Sequence, residues 1–250
     1  MLRKRLVTVL TINNGVLFRT RGFVPDYRYT LNFTDAWLVD EVVLLDITRP
    51  GEGARENFYE LVRQFARNCF VPLTVGGGVR DIEDFKTLLS LGADKVSVNS
   101  KACEMPEFIS EAARLFGSQC VVLSVDAKRE SDSNFSVYSA HGTRQLPGHT
   151  AADWARKAQK LGAGEILLQS IDRDGTLEGY DNGLNKSVTE AVEIPVLVSG
   201  GAGCWEHFLE GFLAGGASAV CTTNVYHFTE SSIKSAKTYL ANAGVAIRTS

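Results

Sequence analysis

The chain has few of the residues on which several protein classes depend. Five of its 250 residues are cysteine, an odd number without C-x-x-C spacing, which argues against a disulfide framework and favours a reduced, cytoplasmic protein. The four histidines show no metal-ligand spacing, so we expect no bound metal. No apolar run is long enough to span a bilayer, and no membrane association is expected.

An excess of charge of one sign is also missing. Lysine and arginine number 26 against 29 acidic residues, for a net charge of −3, which gives no electrostatic reason to expect nucleic acid or an anionic membrane as a partner. With 44% hydrophobic and 22% charged residues, the composition is typical of a globular protein with ample material for a core.

Eight short apolar runs recur along the chain with helix-length intervals between them. The runs are 6–12, 42–47, 73–75, 96–98, 121–125, 166–168, 196–198 and 219–221. Intervals that place apolar side chains on one helical face are 55–68, 82–91 and 151–161. This alternation predicts an α/β fold, a (β/α)8 TIM barrel that forms one domain over residues 1–250. Two long polar links, 13–32 and 128–149 with a candidate hairpin, follow strands, where a barrel keeps its chemistry.

Two glycine-rich segments occupy matching places in the chain. Residues 197–203 (LVSGGAG) and 73–79 (LTVGGGV) each run from an apolar strand into glycines and then to a helix start. Backbone N–H groups at a helix start bind phosphate, although one such turn alone is often only a tight connection. Because the pattern occurs twice, we predict a phosphate site in each half of the chain.

The glycine segments belong to a longer internal repeat. Residues 75–78 recur as 198–201, 123 positions later, and other segments recur at 123 or 124 positions. The repeat predicts two half-barrels, about residues 1–118 and 119–250. Two phosphate pockets on opposite sides of one mouth would suit an elongated substrate with a phosphate at each end.

One carboxylate is well placed for acid–base chemistry. Asp126 ends an apolar strand, where a partly desolvated carboxyl group can act as a general acid or base. The alternative is a structural carboxylate that caps local backbone or forms an ion pair with Lys128 or Arg129. The repeat puts Thr11 at the corresponding position of the first strand, and a threonine does not titrate near neutrality.

Other polar groups are predicted at the same mouth. An Asp-Gly turn after the sixth run brings Asp174 and Gly175 there, although such turns are common structural features. Hydroxyl groups that can either bond phosphate oxygens or simply form loops are those of Ser100, Ser199, Thr222 and Thr223.

Several segments together resemble one family over nearly the whole chain. They are 74–78 (TVGGG), 92–100 (GADKVSVNS), 125–129 (VDAKR), 162–176 (GAGEILLQSIDRDGT) and 199–203 (SGGAG). They resemble the cyclase subunit of imidazole glycerol phosphate synthase, the HisF family. The resemblance implies a barrel, in a heterodimer with a HisH-like glutaminase at its lower end, that receives ammonia from this partner. It further implies ring closure, without a cofactor, on a bisphosphorylated substrate of histidine biosynthesis, with release of an aminoimidazole carboxamide ribotide.

The resemblance also implies roles for individual residues. Phosphate or substrate binding falls to Arg19, Gly77, Gly78, Asn99, Ser100, Asp174, Gly175, Gly200, Gly201, Thr222 and Thr223. A salt-bridged gate for ammonia falls to Arg5, Glu41, Lys95 and Glu165. Each gate residue directly precedes an apolar run, so each belongs at the amino end of a strand; ordinary solvated strand ends are the alternative. Asp94 matches a position that contacts the glutaminase.

The sequence departs from the family at the mouth. Family cyclases have an aspartate at the end of the first strand and a lysine in the next loop, where this chain has Thr11 and Arg19. Loss of a general acid or base lowers a rate by on the order of 10²–10⁴-fold, while arginine can still bind a phosphate.

Two hypotheses follow. In one, the chain is an imidazole glycerol phosphate synthase cyclase in which Asp126 works without its usual partner. In the other, it resembles a side branch of the family that lacks the first-strand aspartate and is associated with amidotransferases making acetamidino sugars for surface polysaccharides. The barrel would then be an ammonia conduit for a sugar amidotransferase. The intact gate and the incomplete acid–base pair favour the conduit.

Overall fold

Twelve strands and eight α-helices are formed by the part of the chain that our computed structural model describes, residues 3–28, 39–131, 134–223 and 233–248. The strands are β1 (Arg5–Asn13), β2 (Val16–Arg21), β3 (Val24–Arg28), β4 (Glu41–Asp46), β5 (Leu73–Gly76), β6 (Lys95–Val98), β7 (Val121–Ser131), β8 (Asn134–Ser139), β9 (Arg144–Thr150), β10 (Glu165–Ser170), β11 (Val196–Ser199) and β12 (Ala219–Thr222). The helices are α1 (Arg55–Asn68), α2 (Ile82–Ser90), α3 (Ser100–Glu104), α4 (Glu107–Phe116), α5 (Ala151–Leu161), α6 (Asn182–Thr189), α7 (Trp205–Leu213) and α8 (Ile233–Asn242).

Eight of the strands close into a parallel barrel. Their order around it is β1-β4-β5-β6-β7-β10-β11-β12, and β12 pairs again with β1. From β4 onward, helices lie between successive barrel strands, so the predicted (β/α)8 TIM barrel is confirmed. β1 and β7 are four strands apart in this order and therefore stand on opposite sides of the barrel.

The remaining four strands form antiparallel extensions at the carboxyl ends of β1 and β7. The link predicted over residues 13–32 is not a loop in its described part, because β2 and β3 form a hairpin that continues β1. Residues 29–32 of that link lie outside the described residues. The hairpin predicted within 128–149 is confirmed, with β8 pairing with both β7 and β9.

Apolar side chains fill both faces of the barrel wall. Between strands and helices the largest fully buried side chains include Trp154, Phe58, Phe85, Phe108 and Phe208. A second cluster lies inside the barrel and contains Val7, Val9, Val43, Leu45, Val122, Leu167, Leu197, Ala219 and Cys221. Burial on both faces explains why the strands appear in the sequence as uninterrupted apolar runs.

Secondary-structure elements repeat with the spacing found in the sequence. β5 and β11 begin 123 residues apart, as do α2 and α7, and β6 and β12 begin 124 residues apart. Equivalent elements thus occupy equivalent places around the barrel. The division into half-barrels near residue 118 stays a prediction.

Candidate functional site

The carboxyl ends of the barrel strands surround a cavity of about 650 Å³, and a smaller pocket of about 40 Å³ adjoins it. Predicted residues that line the larger cavity are Thr11, Gly77, Gly78, Asn99, Ser100 and Asp126. Predicted residues that line the smaller pocket are Arg19, Gly175, Gly200, Gly201 and Thr222. Asp174, Ser199 and Thr223 line both. All residues predicted at the mouth therefore lie in one continuous region, with one glycine segment in each pocket.

Asp126 is buried at the end of the inward-facing part of β7. Its Oδ1 accepts hydrogen bonds from the Ser124 hydroxyl at 2.9 Å and from the Gln169 amide at 3.2 Å. Burial raises the pKa of Asp126 to about 6, partly opposed by these hydrogen bonds to the ionised form. The group can thus hold or release a proton near neutral pH. The alternative of an ion pair with Arg129 is wrong, because that guanidinium bonds the Asp181 carboxylate at 2.6 Å.

Thr11 stands on the opposite side of the same cavity. Its hydroxyl donates a hydrogen bond to the backbone carbonyl of Phe18 in the adjacent strand β2. The hydroxyl proton of Thr11 is therefore engaged in a hydrogen bond that holds the first hairpin against β1. Thr11 has neither the titration range nor a free proton with which to replace a carboxylic acid.

The two glycine segments adopt conformations that other residues do not accept. Gly77 (φ +93°) and Gly200 (φ +99°) both have left-handed backbones. A Cβ atom on Gly77 would lie 2.0 Å from the Asp46 carbonyl oxygen, and one on Gly200 would lie 2.7 Å from that of Ser170. Both contacts join a glycine to the end of the neighbouring barrel strand. Glycine is required here by chain packing as well as by any phosphate that approaches the backbone.

This requirement predicts an effect on stability. Gly201 (φ +100°) would place a Cβ atom 2.2 Å from the Gly179 carbonyl oxygen, whereas Gly148 (φ +74°) has nothing within 4 Å. Gly148→Ala should lower the free energy of unfolding by about 1–2 kcal/mol, because alanine disfavours a left-handed backbone. Gly201→Ala should lower it by a further ~1–3 kcal/mol, because its Cβ atom also overpacks the site. Urea unfolding measures both, and equal losses would contradict the close backbone approach.

Asp174 joins the first hairpin to the loop after β10. Its carboxylate accepts hydrogen bonds from the Thr20 hydroxyl at 3.0 Å and from the Phe23 backbone N–H at 2.9 Å. Burial raises the pKa of Asp174, against the effect of these two donors and of nearby Arg19. Arg19 itself forms an ion pair with Asp26. These contacts bring the hairpin over the smaller pocket and set Arg19 at its wall.

A closed ring of four charged side chains occupies the opposite, lower end of the barrel. Arg5 bonds Glu41 at 2.7 Å and Glu165 at 2.9 Å, and Lys95 bonds the same two glutamates at 2.7 and 2.6 Å. Each of the four is the first residue of its strand, and each side chain is at most 14% exposed. The alternative, that these four residues are ordinary solvated strand ends, is therefore wrong. The ring is neutral overall and crosses the barrel axis below the apolar interior.

Comparison with known proteins identifies the family of this chain. A family model described as "Histidine biosynthesis protein" matches residues 8–232. The chain belongs to this histidine biosynthesis protein family. The family includes the HisF and HisA barrels, so the resemblance to HisF is supported at family level.

Membership of the histidine biosynthesis family does not by itself give a role to Asp94. This carboxylate is exposed beside the ring residue Lys95 and accepts the Leu73 backbone N–H at 2.8 Å. It thus has a structural function at the amino end of β5. Its contact with a glutaminase stays a prediction. The described residues contain no group of three potential metal ligands and no helix long and apolar enough to cross a membrane.

Sequence reasoning missed three side chains that lie in or beside the cavity of this histidine biosynthesis barrel. Gln169 and Ser124 both donate hydrogen bonds to Asp126. Gln169 reaches Asp126 only because β10 pairs with β7 in the barrel, with these two residues opposite each other. His141 lines the cavity from the turn after β8. A histidine in a predicted hairpin turn was the available signal for His141, whereas the contacts of Gln169 had no local signal.

Proposed function

We propose that the chain is a HisF-like barrel subunit that receives ammonia from a partner glutaminase and passes it to the upper cavity. The observation that carries the proposal is the closed ring of Arg5, Glu41, Lys95 and Glu165. Replacing buried ion pairs by packed apolar residues is often neutral or stabilising, so a buried ring needs a reason other than stability. A gate that a small polar molecule must pass supplies that reason.

The barrel interior above the ring supports the same proposal. Val7, Val43, Val122 and Leu167 lie inside the barrel between the ring and the upper cavity. An apolar lining strongly disfavours the ammonium ion, because burying an unpaired charge is far more costly than burying a neutral molecule. Neutral ammonia is thus the form suited to this route.

The lower face has apolar side chains that suit a protein partner. Phe70, Leu115 and Leu213 are 89%, 46% and 69% exposed. All three come shortly before the amino end of a barrel strand, at the rim that holds the charged ring. Large exposed apolar side chains on one face are candidates for burial against a protein partner, and we propose a HisH-like glutaminase as the protein that covers them.

The two hypotheses for the destination of ammonia draw support from different features of the upper cavity. Thr11 removes one acid–base group, which favours a conduit that delivers ammonia to a sugar amidotransferase. The second candidate is the imidazole glycerol phosphate synthase cyclase of histidine biosynthesis. It is favoured by Asp126, whose pKa of about 6 suits proton transfer, and by a glycine segment in each pocket.

A direct assay separates the two. The purified chain is given ammonium and the bisphosphorylated ribulosyl substrate, beside a HisF barrel that has the first-strand aspartate. With one acid–base group replaced, we expect ring closure slower by on the order of 10²-fold or more. Equal rates would contradict the conduit and establish the cyclase.

Restoring the carboxylate provides a further prediction. Thr11→Asp should raise ammonia-dependent ring closure by on the order of 10²-fold, because a second acid–base group then faces Asp126. The new carboxyl group meets the Phe18 carbonyl, which favours its protonated form. Thr11→Asn is the matched control, with the same shape and no titration. If neither variant gains activity, the loss of the aspartate is not what limits the reaction.

A further inference from the structure

His141 is a titratable side chain of the upper cavity that the proposed function does not use. It lies in the turn between β8 and β9, is half-buried and lines the larger cavity. Among the described residues, none forms a hydrogen bond with its ring nitrogens. The imidazole is therefore available to a ligand that fills this cavity.

The turn holds His141 in a conformation that side chains disfavour. Three successive residues have left-handed backbones, Ala140 (φ +51°), His141 (φ +58°) and Gly142 (φ +76°). Only Gly142 lacks a Cβ atom, so the left-handed conformation is disfavoured at Ala140 and His141. The Ala140 N–H donates to the Ser100 hydroxyl at 3.1 Å, and the Thr143 hydroxyl donates to the Ala140 carbonyl at 2.6 Å. Disfavoured backbones that the surroundings hold in place are concentrated at functional sites.

The turn that carries the imidazole reaches the Thr11 side of the mouth, because a Cβ atom on Gly142 would lie 3.3 Å from the Phe23 ring of the hairpin that continues β1. The charged groups that act on the imidazole are Arg49, Asp46 and Glu52, all at or after the end of β4. β4 is paired with β1, which carries Thr11, while Asp126 lies on β7 across the barrel. Burial, followed by the charge of Arg49, lowers the pKa of His141, so the ring is neutral at neutral pH and can accept a proton.

We propose that His141 is a second proton-transferring residue of the upper cavity, acting from the Thr11 side on a ligand that Asp126 contacts from the other side. This inference rests on the second candidate of the proposed function, the cyclase, in one respect: the cavity binds a phosphorylated carbonyl compound which ammonia attacks. It would account for ring closure by a chain in which Thr11 has replaced the aspartate.

In the attack of ammonia on the carbonyl group, each proton that one group releases is accepted by another. As the ammonia lone pair forms the C–N bond, the carbonyl π pair moves onto oxygen, and neutral His141 accepts a proton from the nitrogen. Protonated Asp126 gives its proton to that oxygen. The imidazolium then returns its proton to the Asp126 carboxylate through water, which restores both groups.

The kinetic test compares two histidine variants. His141→Asn removes the titratable ring while keeping a residue that tolerates a left-handed backbone. We expect kcat for ammonia-dependent ring closure to fall by on the order of 10²-fold with KM little changed, and the acidic limb of the pH profile to disappear. His149→Asn, whose ring contacts Trp154, should change kcat less than about twofold, as expected for a residue outside the acid–base machinery. An unchanged kcat and pH profile in His141→Asn would overturn the proposal.

A second measurement does not depend on turnover. Histidine ring signals are followed by ¹³C-edited NMR through a pH titration, with and without the bisphosphorylated ribulosyl substrate. We expect this ligand to move the His141 signal and its pKa and to leave the His149 signal in place. If the Gly77 and Asn99 amides respond to the ligand while His141 does not, the inference is wrong and the proposed site stands. If none of the three responds, the ligand site of the proposed function is wrong and the inference fails with it.

Discussion

Glu41→Gln is expected to lower the free energy of unfolding by about 3–5 kcal/mol, because it breaks a buried ion-pair ring. The Glu41 side chain is 1% exposed and accepts hydrogen bonds from Arg5, Lys95 and the Thr74 hydroxyl, the last at 2.8 Å. Its neutralisation leaves two cations and only one anion, Glu165, in the ring. Chemical denaturation at neutral pH measures the loss.

Two further variants make this prediction specific to the ring. Glu41→Gln combined with Lys95→Met removes one charge of each sign, so the double variant should be more stable than Glu41→Gln alone. Glu60→Gln is the matched control, because Glu60 pairs with Arg63 at the surface, where both side chains are about half exposed. That change should alter stability by no more than about 1 kcal/mol. Similar losses for Glu41→Gln and Glu60→Gln would contradict a closed buried ring.

Asp126→Asn is expected to stabilise the protein at high pH while it damages the site. Burial raises the pKa of this carboxyl group from 3.8 to about 6, a penalty of about 3 kcal/mol on the folded state once the group is ionised. Below about pH 3 the group is protonated in the folded and unfolded states, so the penalty is absent. The gain from Asp126→Asn should therefore rise from near zero at about pH 3 to about 3 kcal/mol at about pH 8.

A control of opposite sign accompanies this variant. Arg80 lowers the pKa of Asp84, so Asp84 stabilises the folded state at high pH and loses this effect as pH falls through its lowered pKa. Asp84→Asn should then destabilise at pH 8 and do so less in acid. A gain in Asp126→Asn that does not depend on pH would contradict the burial of an ionised carboxylate. Ring closure by Asp126→Asn should fall by on the order of 10²–10⁴-fold.

Much of the fold was predictable because it depends on local patterns. A strand buried on both faces appears as an unbroken apolar run, and eight such runs with amphipathic intervals leave few folds other than a parallel barrel. The ring could be predicted on the same basis, since Arg5, Glu41, Lys95 and Glu165 each precede a run, together with the family resemblance that gave the four a common purpose. The contacts that close the ring are long-range, from 36 residues apart for Arg5 with Glu41 to 160 for Arg5 with Glu165.

The upper site was less predictable for a physical reason. Asp126 was identified because it follows an apolar run, and it lies within β7, which continues to Ser131. Its partner Gln169 is 43 residues away and reaches it only through the pairing of β7 with β10. The link after β1 has the polar composition of a loop, and its hairpin follows from antiparallel pairing with β1 itself. His141 depends on a turn whose left-handed backbone cannot be seen in the residue types, since two of its three residues have side chains.

The most direct test of ammonia passage follows the nitrogen atom. The chain is combined with a HisH-type glutaminase from the same genome, the bisphosphorylated ribulosyl substrate, glutamine labelled with ¹⁵N at the side-chain amide, and an excess of unlabelled ammonium. The aminated product of the ribulosyl substrate is then analysed by mass spectrometry. If the barrel conducts ammonia from its lower gate to the upper cavity, the product nitrogen should be almost entirely ¹⁵N, and Glu41→Gln should dilute it. A product whose label simply matches the mixed ammonium pool would contradict the proposed function.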